Sequence, residues 1–348
     1  MVALAVSGLA ALPADAKHPA ATSASGLTLP QQVGQLIVVG FEGTRVPTTL
    51  VPTLNRGGVS GVILFGRNVA SRSQLRSLTA GLQRAGGGDL LVSVDQEGGE
   101  VRRLPWASPR RGEPSQRTEE LARSEAVEGG RDLHSVGINL NFAPVADVVS
   151  VAGSTMRKRA FPGGAASVAD LTRASIGGWA GSGVAATVKH FPGLGAAHMN
   201  TDAAAVTIGR SRSALEQIDL VPFRAAIDAG APLVMASHAL YPALDGRRIA
   251  SQSKTILTDL LRRQLGFQGV VITDSLAARA VLSRSSIESA AVRSIAAGAD
   301  MALLTTFRSY KRVYDRLLHA ARTSASFRKR VEQSAARVQA LKRGLGLT

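Results

Sequence analysis

Ionisable residues gather at particular places in this chain, each just after a short apolar run. LLVSV (90–94) is followed by Asp95-Gln96-Glu97-Gly98-Gly99, and INLNFAPV (138–145) by Asp147. VAATV (184–188) runs into Lys189-His190 and then FPGLGAAHMNTD, which carries His198 and Asp202. PLVMA (232–236) leads to Ser237-His238, and GVVI (269–272) to Thr273-Asp274-Ser275. Carboxylates can attack carbon or move protons, and imidazoles move protons near neutral pH. A lysine emerging from an apolar run is rarely buried unless a carboxylate pairs with it. The plainer reading is that strand-to-helix turns favour Asp, Ser and Asn as helix caps. That reading suits Asp274-Ser275 alone better than it suits Lys189-His190.

The elements that would position these groups follow from the texture between them. Eight apolar runs, at 35–41, 61–66, 90–96, 138–145, 184–191, 232–238, 269–274 and 301–305, alternate with Ala/Leu/Arg stretches of helical period. Near-continuous apolar runs suit parallel strands buried on both faces. Helices are expected over 71–85, 213–230 and 286–299, with a final basic helix over 326–345. Eight β-then-α units predict an α/β fold, a single (β/α)8 TIM-type barrel, whose chemistry sits at the C-terminal ends of the strands. A doubly wound sheet would need a glycine-rich fingerprint after an early strand. The Gly57-Gly58 and Gly86-Gly87-Gly88 clusters precede strands instead.

Composition narrows the class. The 348 residues contain no cysteine, which excludes a disulfide scaffold and a thiolate metal site. With 45% apolar and 19% charged residues, the chain as a whole is expected to be folded. The net charge of +16 invites a nucleic-acid partner, but aromatic residues make up only 4% of the chain, so bases would find little to stack on. An anionic cell-wall polymer suits that charge as well, and a basic composition with no specific partner is the plainer reading. Val2 to Leu12 is apolar and too short to span a bilayer, and Ala14-Asp15-Ala16 resembles a secretory cleavage site. Residues 1–16 are expected to be a signal peptide truncated at its start, 17–28 a disordered linker, and 29–348 the barrel. Without cysteine, attachment as a cysteine-linked lipoprotein is excluded, so a secreted or wall-associated form is expected. No other segment reads as a membrane span, and a monomer is the expected state.

In ILFGRN (63–68), VDQEGGEVRRL (94–104), NFAPVADV (141–148), RAFPG (159–163), KHFPGLG (189–195), VMASH (234–238), GFQGVVITDSL (266–276) and AGADMALL (297–304), the chain resembles glycoside hydrolase family 3. The resemblance runs from about Leu29 to about Leu345 and is nearest to the single-barrel β-N-acetylglucosaminidases that act on cell-wall fragments. It implies a retaining β-N-acetylhexosaminidase with no cofactor and no metal, using a nucleophile and an acid/base typically about 5–5.5 Å apart. By the same resemblance Asp274 is the nucleophile, and Asp95, Arg103, Arg159, Lys189 and His190 hold the sugar. A β-glucosidase is the nearer enzymatic rival, and a metal hydrolase on His190, His198, His238 and Asp274 lacks a recognised spacing.

One departure matters most. Where the family carries Asp-Ser-His, whose histidine is the acid/base, this chain reads Asn200-Thr201-Asp202. A single barrel has no second domain to lend a replacement. Three readings stand: Asp202 is itself the acid/base, His198 supplies the acid with Asp202 orienting it, or the protein is a catalytically weakened sugar binder.

Overall fold

The computed structural model describes residues 26–347, so the leader expected over 1–16 lies outside the described residues. Eight parallel strands close a barrel: β1 (Ile37–Gly40), β2 (Gly61–Leu64), β3 (Leu91–Val94), β4 (Leu140–Asn141), β5 (Ala185–Phe191), β6 (Leu233–Ala236), β7 (Val270–Ser275) and β8 (Met301–Leu304). Their order around the barrel is their order in sequence, and β1 closes on β8 with Ile37 opposite Ala302. This is the (β/α)8 architecture that the eight apolar runs predict.

Successive strand residues face opposite sides, which explains the continuous apolar runs. Val38, Ile63, Leu91, Leu140, Met235, Ile272 and Met301 pack together in one cluster. Their neighbours Val39, Val62, Val92, Val234, Val271 and Ala302 belong to a second cluster shared with the surrounding helices. Both sets are buried, so neither side tolerates polar alternation.

The helices used below are α1 (Leu29–Gly34), α2 (Val51–Asn55), α3 (Arg72–Ala85), α4 (Glu119–His134), α5 (Ala165–Trp179), α6 (Leu220–Asp228), α7 (Arg279–Leu282), α8 (Ile287–Ala297), α9 (Tyr310–Thr323) and α10 (Ala325–Gly344). Thr28, assigned to the linker by composition, caps α1 in a capping box with Gln31. The final helix of the sequence reading is α10, and α9 precedes it without having been expected. Leu341, Leu345 and Leu347 pack with Val338 of α10 against the inner barrel cluster, closing its floor. Asp300, immediately before β8, secures α10 there. It is fully buried and pairs with Arg262, Arg330 and Arg337, and it accepts from Ser334 Oγ and the Val271 N–H. Burial pushes its carboxyl up, but the three guanidinium groups outweigh this and hold it at about 2. Among the described residues no helix is long and apolar enough to cross a membrane.

Candidate active site

The chain past β3 turns back on itself, Gln96–Gly98 pairing antiparallel with Val101–Arg102. That turn carries Asp95 and Glu97 toward β5, where Lys189 is buried. Lys189 Nζ lies 2.9 Å from Asp95 Oδ1 and 2.5 Å from Glu97 Oε1. Glu97 also accepts from Arg159, Nε at 2.9 Å and NH2 at 2.7 Å, a two-point fork that fixes the guanidinium plane. Burial pushes the Glu97 carboxyl up, yet Lys189 and Arg159 together hold it far below the ordinary range. Burial would likewise depress Lys189, and Asp95 and Glu97 raise it instead. Arg103 NH2 stands 3.9 Å from Asp95 Oδ2, a looser contact.

His190 is oriented by Asp147, which is buried in the segment that follows β4. Asp147 Oδ2 lies 2.7 Å from His190 Nδ1, and Oδ1 accepts from the His190 N–H (3.2 Å) and the Leu194 N–H (2.6 Å). A carboxylate only accepts, so Nδ1 carries the proton and Nε2 is left for another partner. The FPGLG turn beyond needs its glycines. Gly193 sits at φ +131°, and a Cβ at Gly195 would lie 2.0 Å from the Val148 carbonyl oxygen.

Asp274 ends β7. Burial raises its carboxyl, but His190, His238, the Ser275 N–H and Lys189 outweigh that and hold it below the ordinary aspartate range. His238 is buried, which depresses its pKa. Its Nε2 donates to the Ser275 carbonyl at 2.9 Å, and Nδ1 lies 2.7 Å from the Ser251 hydroxyl. The His238 imidazole thus fixes the backbone beside Asp274.

The loop after β5 brings Asp202 into the same field. Asp202 is exposed, but partial burial and the Asp274 charge raise its carboxyl above the ordinary range. The loop is tied to the segment following Asp274: Ala280 N–H donates to Thr201 O (3.0 Å) and Arg279 N–H to Asp202 O (3.2 Å). His198 is exposed, and a Cβ at Gly153 would stand 3.6 Å from its Nδ1. Asp95, Arg159, Lys189, His190, Asp202 and Asp274 therefore share one electrostatic neighbourhood.

Four supporting residues had no assigned role in the sequence reading: Glu97, Glu113, Asp147 and His238. Glu113 is buried with both carboxyl oxygens on the Val145 N–H, at 2.9 and 3.1 Å, and burial raises its pKa well above the ordinary range. Glu97 had a usable signal, since it lies two residues from Asp95 and so on the same face of an extended segment. Glu113 had none.

The comparisons with known proteins agree with this architecture. The family model described as the glycosyl hydrolase family 3 N terminal domain matches residues 28–341. The chain is 36% identical over 278 residues to a beta-hexosaminidase of Nitrosomonas eutropha, covering 77% of this chain and 80% of that protein. It is 33% identical over 342 residues to an uncharacterized secreted glycosyl hydrolase of Arthroderma benhamiae, covering 92% and 95%. The family 3 beta-N-acetylglucosaminidase of a Paenibacillus species matches with a TM-score of 0.88 at 35% identity over 92% of this chain, which spans 63% of that one. A beta-N-acetylhexosaminidase of Beutenbergia cavernae matches with a TM-score of 0.86 at 33% identity, covering 92% of this chain and 99% of that one. The chain is a glycoside hydrolase and belongs to glycosyl hydrolase family 3.

Proposed function

We propose that this glycoside hydrolase removes terminal β-linked N-acetylglucosamine from cell-wall or chitin-type oligosaccharides with retention of configuration. One observation carries the reading: two carboxyls in one neighbourhood are shifted in opposite directions, Asp274 down and Asp202 up. Oppositely shifted titratable groups mark the ionised and protonated partners of an acid/base pair. The ionised Asp274 attacks the anomeric carbon as the bond to the glycosidic oxygen breaks, and Asp202 gives its proton to that oxygen. Water then attacks the glycosyl ester, Asp202 takes a proton from it, and Asp274 leaves as carboxylate. Asp95, Lys189, Arg159, Arg103 and His190 hold the hydroxyls of the sugar. The substrate class follows the beta-hexosaminidase and beta-N-acetylglucosaminidase names of the relatives. A secreted or wall-associated site of action, in peptidoglycan turnover, rests on the Ala14-Asp15-Ala16 pattern and on the secreted fungal relative.

The test compares an activated aryl N-acetylglucosaminide with unactivated chitobiose and with an aryl glucoside. Asp274→Asn is expected to abolish turnover of all three. Asp202→Ala is expected to lose about 10²–10⁴-fold on chitobiose and far less on the aryl substrate, which needs little protonation. The wild-type alkaline limb, where activity falls as Asp202 deprotonates, should vanish in Asp202→Ala. If His198→Ala shows that pattern and Asp202→Ala does not, His198 is the acid. Normal activity of Asp274→Asn refutes the nucleophile, faster turnover of the glucoside refutes the substrate class, and tight sugar binding without any wild-type turnover indicates a weakened homologue.

A further inference from the structure

At the end of the barrel opposite Asp274 lies a cavity of about 890 Å³, a size that suits a small molecule. Its walls come from three sides. Ile176 and Trp179 of α5 form one, and Val184 and Val270, where β5 and β7 begin, form the second. Helix α10 supplies the third with Arg337, Ala340, Leu341, Gly344 and Leu345, which share one helical face. Most of the lining is apolar. Gln268, which is exposed, adds an amide, and Arg337 is the one charged side chain among the lining residues. Val270 opens β7, whereas Asp274 lies about 13 Å further along the strand.

Arg337 belongs to a cluster with an excess of cations. Asp300 is the single carboxylate shared by Arg262, Arg330 and Arg337, whose side chains are 11%, 14% and 19% exposed. Arg262 also donates to the Phe267, Gly269 and Gly298 carbonyls, and Arg330 to those of Ile295, Gly298 and Ala299. Arg337 donates to Asp300 Oδ1 at 3.2 Å, and among the described residues its other N–H groups have no partner. Burial and the two neighbouring guanidinium groups lower Arg262 to about 10, although Asp300 opposes them. The field at this end of the cavity is therefore positive, and a guanidinium with free donors favours an anion. The rest of the cavity specifies what that anion carries. Helical side chains lean toward the N-terminus of their helix, so the Arg337 head lies at one end of the lined face. Leu345 marks the other end, about 12 Å away along the axis. That length of apolar wall beyond a single cation fits an extended alkyl chain with one charged head. The guanidinium edge that Asp300 leaves free matches a planar carboxylate.

We propose that this cavity is a binding site for a medium-chain fatty acid. The carboxylate accepts hydrogen bonds from Arg337, and the tail lies along Ala340, Leu341, Gly344 and Leu345 against Trp179. The site stands at the opposite end of the barrel from Asp274 and does not rest on the glycosidase reading.

The test is calorimetric titration of the full chain with decanoate, below its micellar range and at about pH 7.5, where the carboxylate is ionised. Octanoate is expected to bind about ten- to fifteenfold more weakly than decanoate, because it buries two fewer methylenes. Decyltrimethylammonium, which carries the same tail on a cation, is expected not to bind. Arg337→Gln leaves Asp300 with two arginines and keeps the helix propensity. It should weaken decanoate by about tenfold or more and change 1-decanol by less than about threefold. Gly344→Leu fills the cavity: a Cβ there meets nothing within 4 Å, and leucine favours the helix, so this variant folds and should lose both ligands. In a Trp106→Phe background Trp179 is the one remaining tryptophan, and its emission should change as decanoate binds. Absence of wild-type binding overturns the proposal, as does decanoate binding that neither variant weakens. Decyltrimethylammonium or decyl phosphate binding tighter than decanoate also overturns it, and so does a wild-type dimer that Gly344→Leu dissolves, which gives the cavity to a second copy. Binding is read without turnover, so failure of the glycosidase reading remains a separate result.

Discussion

Glu97→Gln isolates the carboxylate on which the cationic side of the site turns. Glu97 is 2% exposed, accepts two hydrogen bonds from Arg159 and touches Lys189 Nζ at 2.5 Å. The amide keeps the shape but loses the charge, and its NH2 group must face a cation. Lys189 then retains only Asp95, and Arg159 is buried against a neutral group. Removing one partner of a buried ion pair costs about 3–5 kcal/mol. The described barrel has about 320 residues and an unfolding entropy of about 0.7 kcal/mol/K, so the midpoint should fall by about 4–8 °C at pH 7. The pH dependence has a definite sign. The folded carboxyl titrates far below its unfolded value, so its contribution is present above the unfolded range and is lost as pH falls. The gap between wild type and Glu97→Gln should therefore be full above about pH 5.5 and narrow below about pH 4.5. Thermal melts from pH 7 to pH 3 measure it. On the aryl N-acetylglucosaminide, KM should rise more than kcat falls, because Lys189 and Arg159 lose their common anchor. A gap under about 1 °C at pH 7, or one that does not change with pH, refutes the clamp.

Two further outcomes follow from groups near the site. Asp219 is buried behind the FPGLG turn, and burial, partly offset by Arg210, pushes its carboxyl up to about 7. A carboxyl raised in the folded state makes stability fall as pH rises from about 4 to 7, so Asp219→Asn should remove a slope worth up to about 4 kcal/mol. Parallel denaturant midpoints for both proteins at pH 5 and pH 8 would contradict this. Arg279 is the first residue of α7, and Ala278 before it is extended (φ −59°, ψ 142°), so Arg279→Pro is tolerated by the helix while deleting the N–H that holds Asp202 O. Chitobiose turnover should fall about 2- to 12-fold, the worth of one hydrogen bond, with faster hydrogen exchange over 198–204. Unchanged exchange there would show that the tie does not hold the loop.

What was legible in the sequence, and what was not, follows from how far apart the partners lie. Strands were legible because burial on both faces makes each one a local apolar run, as in Val270-Val271-Ile272. The polar residues at strand ends were legible because a parallel barrel places them at one rim. The contacts among them were not, since Glu97 and Arg159 are 62 residues apart, Asp147 and His190 43, and Asp95 and Lys189 94. No local pattern encodes such a pairing. Helix α9 was not named from the sequence although Tyr310, Val313, Leu317 and Ala321 have helical spacing.

The Asn200-Thr201-Asp202 segment shows both sides of this. Asn200-Thr201-Asp202 in place of Asp-Ser-His was plain from residue types alone. Its electrostatic consequence depends on where the loop is held. Thr201 and Asp202 present their carbonyls to Ala280 and Arg279, just past Asp274 on the same segment. The tie sets Asp202 within the field of Asp274, and that field adds to burial in raising its carboxyl. A histidine in that field would instead be favoured as a cation, with its proton held more tightly. A carboxylic acid gains a raised pKa from the same neighbour, which is the direction a general acid needs to stay protonated near neutral pH. On the proposed mechanism, the same backbone tie is what would let Asp202 serve as the acid, and loss of the tie should lower turnover in the manner predicted for Arg279→Pro.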